Sequence, residues 1–468
     1  MTTHKEYNIV DFNWHEIDRW LIGEAWVGSK IQTHLAEICE RIGPRWASSE
    51  AEWQTIDYIK DQMQAIGLDH ADTEAFDLQT WSYSAATANT VSEKRAIDIL
   101  PFNRCPPINL QARLVDVGFG TPREIDAVSA DLPGSIAIMA MAFEPFTPPL
   151  PHSSRLSLLA QQGVAAVIAI ETKSGRRMEY HSASDWRDPD LNEHPVPTVV
   201  TSREHGALLR KLAQGGESLH LNVTSRFYNA PSANVAGVLN GGRWPEEHLL
   251  LGGHHDTVYG APGGNDNATG IIAVLETARL LAGLRDEFGI AAGRSLRFVT
   301  YSGEEQKLQG SSAYVNRHYG SETPPRLAIN LDELSTGHIK GLVLGFPHLQ
   351  KLVQEQFDQM KDGLQCHVMA QLDPSSDHFP FLRAGIDAGH LWRWRFHSRH
   401  ADAEFHHEAG DTADKVNVRE LKDYAAQLAR LLLRLSHVPP HDWPENPVTR
   451  DQVSARLEAE RGTVVRVF

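Results

Sequence analysis

The chain has 468 residues, with 44 Lys+Arg against 60 Asp+Glu, a formal net charge of −16, 41% hydrophobic and 22% charged residues. That balance is ordinary for a folded globular protein and wrong for a disordered one, and the acidic excess argues against a general nucleic-acid binder, because phosphate binding relies on Lys and Arg. No uninterrupted apolar run reaches the roughly 18–20 residues needed to span a bilayer, and Cys39, Cys105 and Cys366 lie far apart with no CxxC pair, which argues against a disulfide framework. The first 20 residues lack the apolar core of a signal peptide, so a cytoplasmic, reducing location is the expectation. Histidine, at 24, is the informative excess and raises the prospect of metal chemistry.

In chain order, the first 80 residues read as helical. Ile31, Leu35, Ile38 and Ile42 recur at helical spacing up to a stop at Gly43-Pro44, and a second helix is predicted over about 49–65, closed by Gly67. From about 81 to 104 the pattern is irregular. Between about 110 and 223 lies a self-contained alternation, with strands predicted over 112–117, 135–140, 164–170, 197–201 and 219–223 and helices over 156–162 and 205–213. The stretches 145–151 and 173–195 read as exposed loops. We read 84–228 as an inserted smaller α/β domain, with 1–83 and 229–468 forming the main domain; the alternative is that these strands extend one large sheet. Beyond the block the rhythm is α/β, with apolar runs of strand length at 235–239, 249–252, 296–301, 327–331 and 386–392. A helix over about 267–282 presents Ile271, Leu275, Ala278 and Ala282 on one face, with Gly283 as its expected stop. A C-terminal amphipathic helix carries Leu421, Tyr424, Leu428, Leu431, Leu432 and Leu435 and ends at Pro439-Pro440; the tail from 441 is polar and receives no assignment.

Five segments carry candidate chemistry, four of them just past a predicted strand. They are His254-His255-Asp256, the run Asp266-Asn267-Ala268-Thr269-Gly270, Glu304-Glu305, Asp332, and His406-His407 with Asp411. Singly, each has a plain structural reading: Asp266 as a helix N-cap, paired glutamates as solvated surface, Asp332 as a strand-end cap, the histidines as loop residues. Together they gather imidazoles and three or more carboxylates beyond the carboxyl ends of strands, where open α/β sheets bind ligands. So many carboxylates repel one another and protonate unless paired. Divalent cations remove the conflict: imidazole plus carboxylate donors suit zinc, and surplus carboxylates suit two ions sharing one of them.

In order and character these segments resemble the dizinc exopeptidases of metallopeptidase family twenty-eight. His254-His255-Asp256 is similar to the family's His-x-Asp, Asp266 to Gly270 to its Asp-Asn-x-Ser/Thr-Gly, and Glu304-Glu305 with Gly310-Ser311 to its Glu-Glu followed by Gly-Ser. Asn330-Leu331-Asp332 is similar to its Asn-x-Asp, and His407 with Asp411-Thr412 to its terminal His placed four residues before Asp-Thr. Ile42-Gly43-Pro44-Arg45 and Ser376-Asp377-His378 with Phe381 resemble flanking signatures, and the inserted block resembles the protease-associated domain of several members.

The resemblance implies an α/β zinc exopeptidase fold, a mixed, mostly parallel central sheet flanked by helices. It implies two Zn2+ per chain, one on His254 and Asp332 and the other on Glu305 and His407, with Asp266 bridging them. Glu304 would be the general base, and Asp256 would orient the His254 imidazole. The implied activity is hydrolysis of terminal peptide bonds of peptides or dipeptides by a metal-activated hydroxide, with no need for the nucleophilic Ser of a Gly-x-Ser-x-Gly elbow. The donor set alone does not separate zinc from manganese or cobalt.

Where several members carry a tyrosine or apolar residue before the last histidine, this chain has His406, a residue suited to polarising a substrate carbonyl or to hydrogen-bonding locally. Trp392-Arg393-Trp394-Arg395 offers Arg393 and Arg395 as grips for a substrate carboxylate, which would favour carboxy-terminal trimming; an exterior strand with paired arginines is the plainer reading. An aminopeptidase would instead need a carboxylate near the metals for the free amine. Two other classes stand as alternatives, a glutaminyl-cyclase-like transferase, which typically keeps one zinc, and a non-catalytic interaction protein on a decayed peptidase fold. The full donor set argues against both. The implied partner is a small peptide substrate, with no nucleic acid and no membrane; a homo-oligomer is compatible with the sequence.

Overall fold

The structure, a computed structural model, describes residues 13–182, 194–334, 339–391 and 405–460. They divide into two compact units, one made of the residues up to Leu78 together with Pro231–Ala459, the other of Gln79–Ala230. The chain leaves the first unit within the strand His70–Thr90 and re-enters it within the strand Ser218–Leu239.

In the first unit the strand order is His367–Ala370, Gly341–Leu344, Ala388–Leu391, Ala328–Asn330, Trp244–His254, Arg294–Tyr301 and then residues 235–239. The sheet is mixed and mostly parallel: 341–344 runs antiparallel to 388–391 and 235–239 antiparallel to 294–301, while the other neighbours are parallel. Helices cover it, so its inner strands are buried on both faces and read as continuous apolar runs such as Leu249, Leu250 and Leu251. Register is what places the site. Tyr301 lies opposite His254 and Asn330 opposite Gly252, so three adjacent parallel strands end at one level.

The helix Thr269–Phe288 lies in the core against the helix Val418–His437. It is long and apolar enough to cross a membrane by length and composition, but most of it is buried inside the unit, as expected of a core helix that is apolar nearly all round. This helix runs past Gly283, and its left-handed stop is Gly289 at φ 69°. Gly283 is instead a packing position, since a Cβ there would lie 3.2 Å from the Trp20 ring. Asp266 does not cap the helix either: Asn267 Oδ1 accepts the Gly270 N–H at 3.0 Å. The helix Glu50–Ile66 is bounded by Ser49, whose side chain accepts the Glu52 N–H, and by Gly67 in the left-handed conformation.

The helical reading of the first 80 residues fails at its end, and the irregular reading of the following segment fails at its start, because both fall in the strand His70–Thr90. Many of its side chains are half-buried on both faces, which removes the apolar–polar alternation that identifies a strand. The tail contains a further helix, Arg450–Ala459.

In the second unit the start of Ser218–Leu239 pairs antiparallel with Ile108–Asp116, which continues in parallel through Ile136–Ala140, Ala166–Ile170 and Thr198–Thr201 to an antiparallel edge at Ile99–Pro101. The helices Pro122–Ala127, His152–Gln161 and Arg203–Gln214 accompany this sheet. Its core gathers Phe102, Ile125, Met139, Leu156, Leu159 and Val200. Cys39, Cys105 and Cys366 are buried free thiols.

Candidate active site

The three level strand ends supply most of the site. His254 closes the strand Trp244–His254 and Glu304-Glu305 follow the strand Arg294–Tyr301. Asp332 stands just past Ala328–Asn330, and His406 and His407 come from the segment after the next parallel strand, Ala388–Leu391. Strand alternation separates the paired histidines. His254 faces the carboxylates, whereas His255 Nδ1 meets Thr300 Oγ1 at 3.1 Å and its Nε2 lies 3.5 Å from Glu52, a buried carboxylate that also accepts Ser232 Oγ at 2.9 Å.

Asp266 lies between two imidazoles: its Oδ1 is 3.2 Å from His254 Nε2 and its Oδ2 is 3.2 Å from His407 Nε2. On the His254 side, Asp332 Oδ1 is 3.4 Å from the same Nε2. On the His407 side, Glu305 Oε2 is 3.2 Å away. His254 Nδ1 meets the Asp256 carbonyl oxygen at 3.1 Å and the Asp256 carboxylate at 3.6 Å, and that carboxylate accepts the Glu304 backbone N–H at 3.1 Å. Thus Asp256 ties the first strand end to the glutamate pair. His406 stacks on His407 with ring centroids 3.7 Å apart, and its Nδ1 lies 2.8 Å from Glu333 Oε1 and 3.2 Å from Asp266 Oδ2.

A polar frame fixes these groups. Asn267 Nδ2 donates to the Leu331 carbonyl at 2.9 Å while its Oδ1 accepts the Glu333 N–H at 3.2 Å. Ser376 Oγ donates to Asp332 Oδ2 at 2.8 Å and accepts from Asn330 Nδ2 at 2.7 Å. The two oxygens of Asp411 accept the backbone N–H groups of Asn265 and Asp266 at 2.8 and 2.9 Å. Arg45, fully buried, donates to the carbonyls of Gly43, His255, Pro262 and Gly263 and so binds the loops on either side of Asp256 and Asp266 together. Backbones approach so closely that Gly253 and Gly270 admit no side chain: a Cβ on either would lie 2.5 Å from the Leu331 carbonyl oxygen.

Charge follows from this crowding. Burial pushes the Glu304 carboxyl well above the ordinary range, and Glu305, Asp332 and Asp377 add to the rise while His254 opposes it. Burial likewise raises Glu305, and takes Asp377 and Asp411 up to about 7. For His254 burial works against the proton, yet the carboxylates of Glu304 and Asp332 hold its pKa well above 6.5; Glu305 and Asp266 do the same for His407. Asp266 is held well below the usual range, burial being overcome by His254, His406 and His407. Asp266 Oδ1 and Glu305 Oε1 are buried without a hydrogen bond. The ligand atoms of His254, Asp266 and Glu305 lie within 4.8 Å of one another, as do those of His254, Glu304 and Asp332. Buried acceptors facing each other without donors fit divalent cations.

His254, Asp256, Asp266, Glu304, Glu305, Asp332, His406 and His407 are thus brought together. Arg393 and Arg395 lie outside the described residues. Sequence reasoning missed Glu333, whose only signal was its place beside Asp332, and Glu52, which had none. It noted Arg45 only as part of a helix-end signature.

Imidazoles and buried carboxylates converging past the carboxyl ends of a mixed α/β sheet fit a metal-dependent hydrolase. Residues 234–432 match the model described as Peptidase family M28. It is similar to a probable leucine aminopeptidase 2 of Aspergillus oryzae, 24% identical over 402 residues covering 79% of this chain and 75% of the relative. It is also similar to carboxypeptidase Q of Bos taurus, 20% identical over 400 residues covering 84% and 82%. Among solved structures, the zinc aminopeptidase of Bacillus subtilis shares the fold, with a TM-score of 0.69, 21% identity, and coverage of 92% of this chain and 98% of that one.

Proposed function

We propose that this peptidase is a dizinc exopeptidase that hydrolyses terminal peptide bonds, with Glu304 as its general base. The observation that carries the reading is the Asp266 carboxylate, one oxygen of which faces His254 and the other His407, each at 3.2 Å. In that arrangement His254 and Asp332 would hold one ion, Glu305 and His407 the other, and Asp266 would contribute an oxygen to each. The zinc aminopeptidase fold neighbour supports zinc as the metal. Bound there, zinc supplies Lewis acidity to a carbonyl oxygen and makes a water acidic enough to attack near neutral pH.

The chain's own residues do the rest. Glu304, a carboxylate whose proton affinity burial raises, accepts the proton of the attacking water and returns it to the departing amine. Asp256 holds Glu304 through its backbone N–H and keeps it beside the His254 group. His406, held by Glu333, stands beside Asp266 as a donor for a polarised substrate oxygen. Metal analysis coupled to hydrolysis of dipeptides blocked at one end or the other tests the reading and shows which terminus is trimmed. Zinc-restored cleavage of a free-ended substrate is expected. Cleavage that survives complete metal removal, or that is equal for doubly blocked peptides, would defeat it.

A further inference from the structure

A second group of metal-binding side chains uses none of the donors above. Asp373, His378 and His390 each offer a ligand atom within 4.8 Å of the others, and all three residues are buried, at 3%, 2% and 4% exposure. They come from separate elements: Asp373 from the segment after the strand His367–Ala370, His378 from the first position of the helix His378–Arg383, His390 from the inner strand Ala388–Leu391. The His378 and His390 rings face each other with centroids 4.6 Å apart.

The contacts of His390 are the informative detail. Its Nδ1 lies 2.9 Å from the Leu391 carbonyl oxygen. A carbonyl only accepts, so Nδ1 is the donor there and Nε2 is the ring atom left to face the other two residues. That Nε2 lies 3.2 Å from Asp373 Oδ2 yet makes no hydrogen bond. Asp373 cannot turn away freely, because its Oδ1 accepts the Ser375 N–H at 2.9 Å. Nε2 of His390 and the Asp373 carboxylate thus face each other inside the protein, with the His378 ring beside them. Two imidazoles and one carboxylate are the donor set of a borderline divalent ion such as zinc. We infer that Asp373, His378 and His390 hold a further zinc-class cation, tying the inner strand to the helix that follows Asp377. The inference stands independently of the dizinc reading.

Crystals of the full chain saturated with zinc, with anomalous data at the zinc edge, give the direct test. A peak among Asp373 Oδ2, His390 Nε2 and the His378 ring is expected, and its absence at saturation overturns the proposal. In solution, His390→Gln and Asp373→Asn should each lose one zinc per chain by elemental mass spectrometry, whereas Asp266→Asn should leave the new peak in place. A folded His390→Gln protein that keeps the full metal content would show that a proton, not a metal, fills the gap. Should these variants not fold, the wild-type anomalous map decides alone. A peak here with none around Asp266 would sink the dizinc reading and spare this one.

Discussion

Two pairs of buried or half-buried histidines, one in each unit, behave in opposite ways. In the second unit burial pushes His194 down to about 4 and, with Arg155 and His181 nearby, His152 down to about 3. Each is a neutral ring hydrogen-bonded to a backbone carbonyl, of Asn103 and Met141 respectively. In the first unit His254 and His407 meet the same desolvation and are held well above 6.5. Burial does not distinguish the pairs; the carboxylates of Asp266, Glu304, Glu305 and Asp332 do. A buried imidazole is therefore a neutral packing residue by default, and favours positive charge where surplus carboxylates share its pocket.

The sharpest way to break that contrast is at Glu304. Glu304→Gln should retain metal but lower kcat on the order of 10²–10⁴-fold, and an unchanged kcat would remove this residue from the proton transfer. Next comes the shared carboxylate: Asp266→Asn should lose bound zinc along with activity, read as metal per chain after dialysis. Arg45→Met leaves carbonyls of Gly43, His255, Pro262 and Gly263 without their donor and should cost about 3 kcal/mol or more in chemical denaturation.

His194 sharpens the comparison from the other side. Its proton binds with a pKa of about 4 in the fold against 6.5 ordinarily, so the unfolded chain takes the proton up first. Its contribution is full above about 6.5 and is lost as pH falls toward 4. His194→Gln should flatten the fall of the urea midpoint across that window; an unchanged slope would mean that His194 is not buried as a neutral ring. The smallest effect is expected from Thr121→Ala, which removes the reciprocal capping bonds with Glu124 and should cost about 1 kcal/mol in the denaturation midpoint.

The main sheet was legible because its inner strands are buried on both faces, so that 249–252 and 296–301 stood out as apolar runs bounded by polar catalytic-type residues. The strand His70–Thr90 was not, since partial burial on both faces erases alternation. Gly283 misled because a glycine in a helix signals a stop by its flexibility, whereas here it makes room for Trp20. The site donors could be found because spacing and residue type survive in a linear chain. The clamp of Arg45 could not, because its partners are carbonyl oxygens about 210 residues away, and a backbone acceptor leaves no letter in the sequence. Glu333 was hidden by its neighbour Asp332, and its contact with His406 sets it apart.

Asp411 reaches back 145 residues to hold the amide of Asp266. The cradle for the Asp266 carboxylate thus cannot close before the intervening chain has been made, and it closes across a loop whose closure is entropically costly. A product terminated before Asp411 would lack this latch, and the loop that carries Asp266 would lose the acceptor of two of its amides.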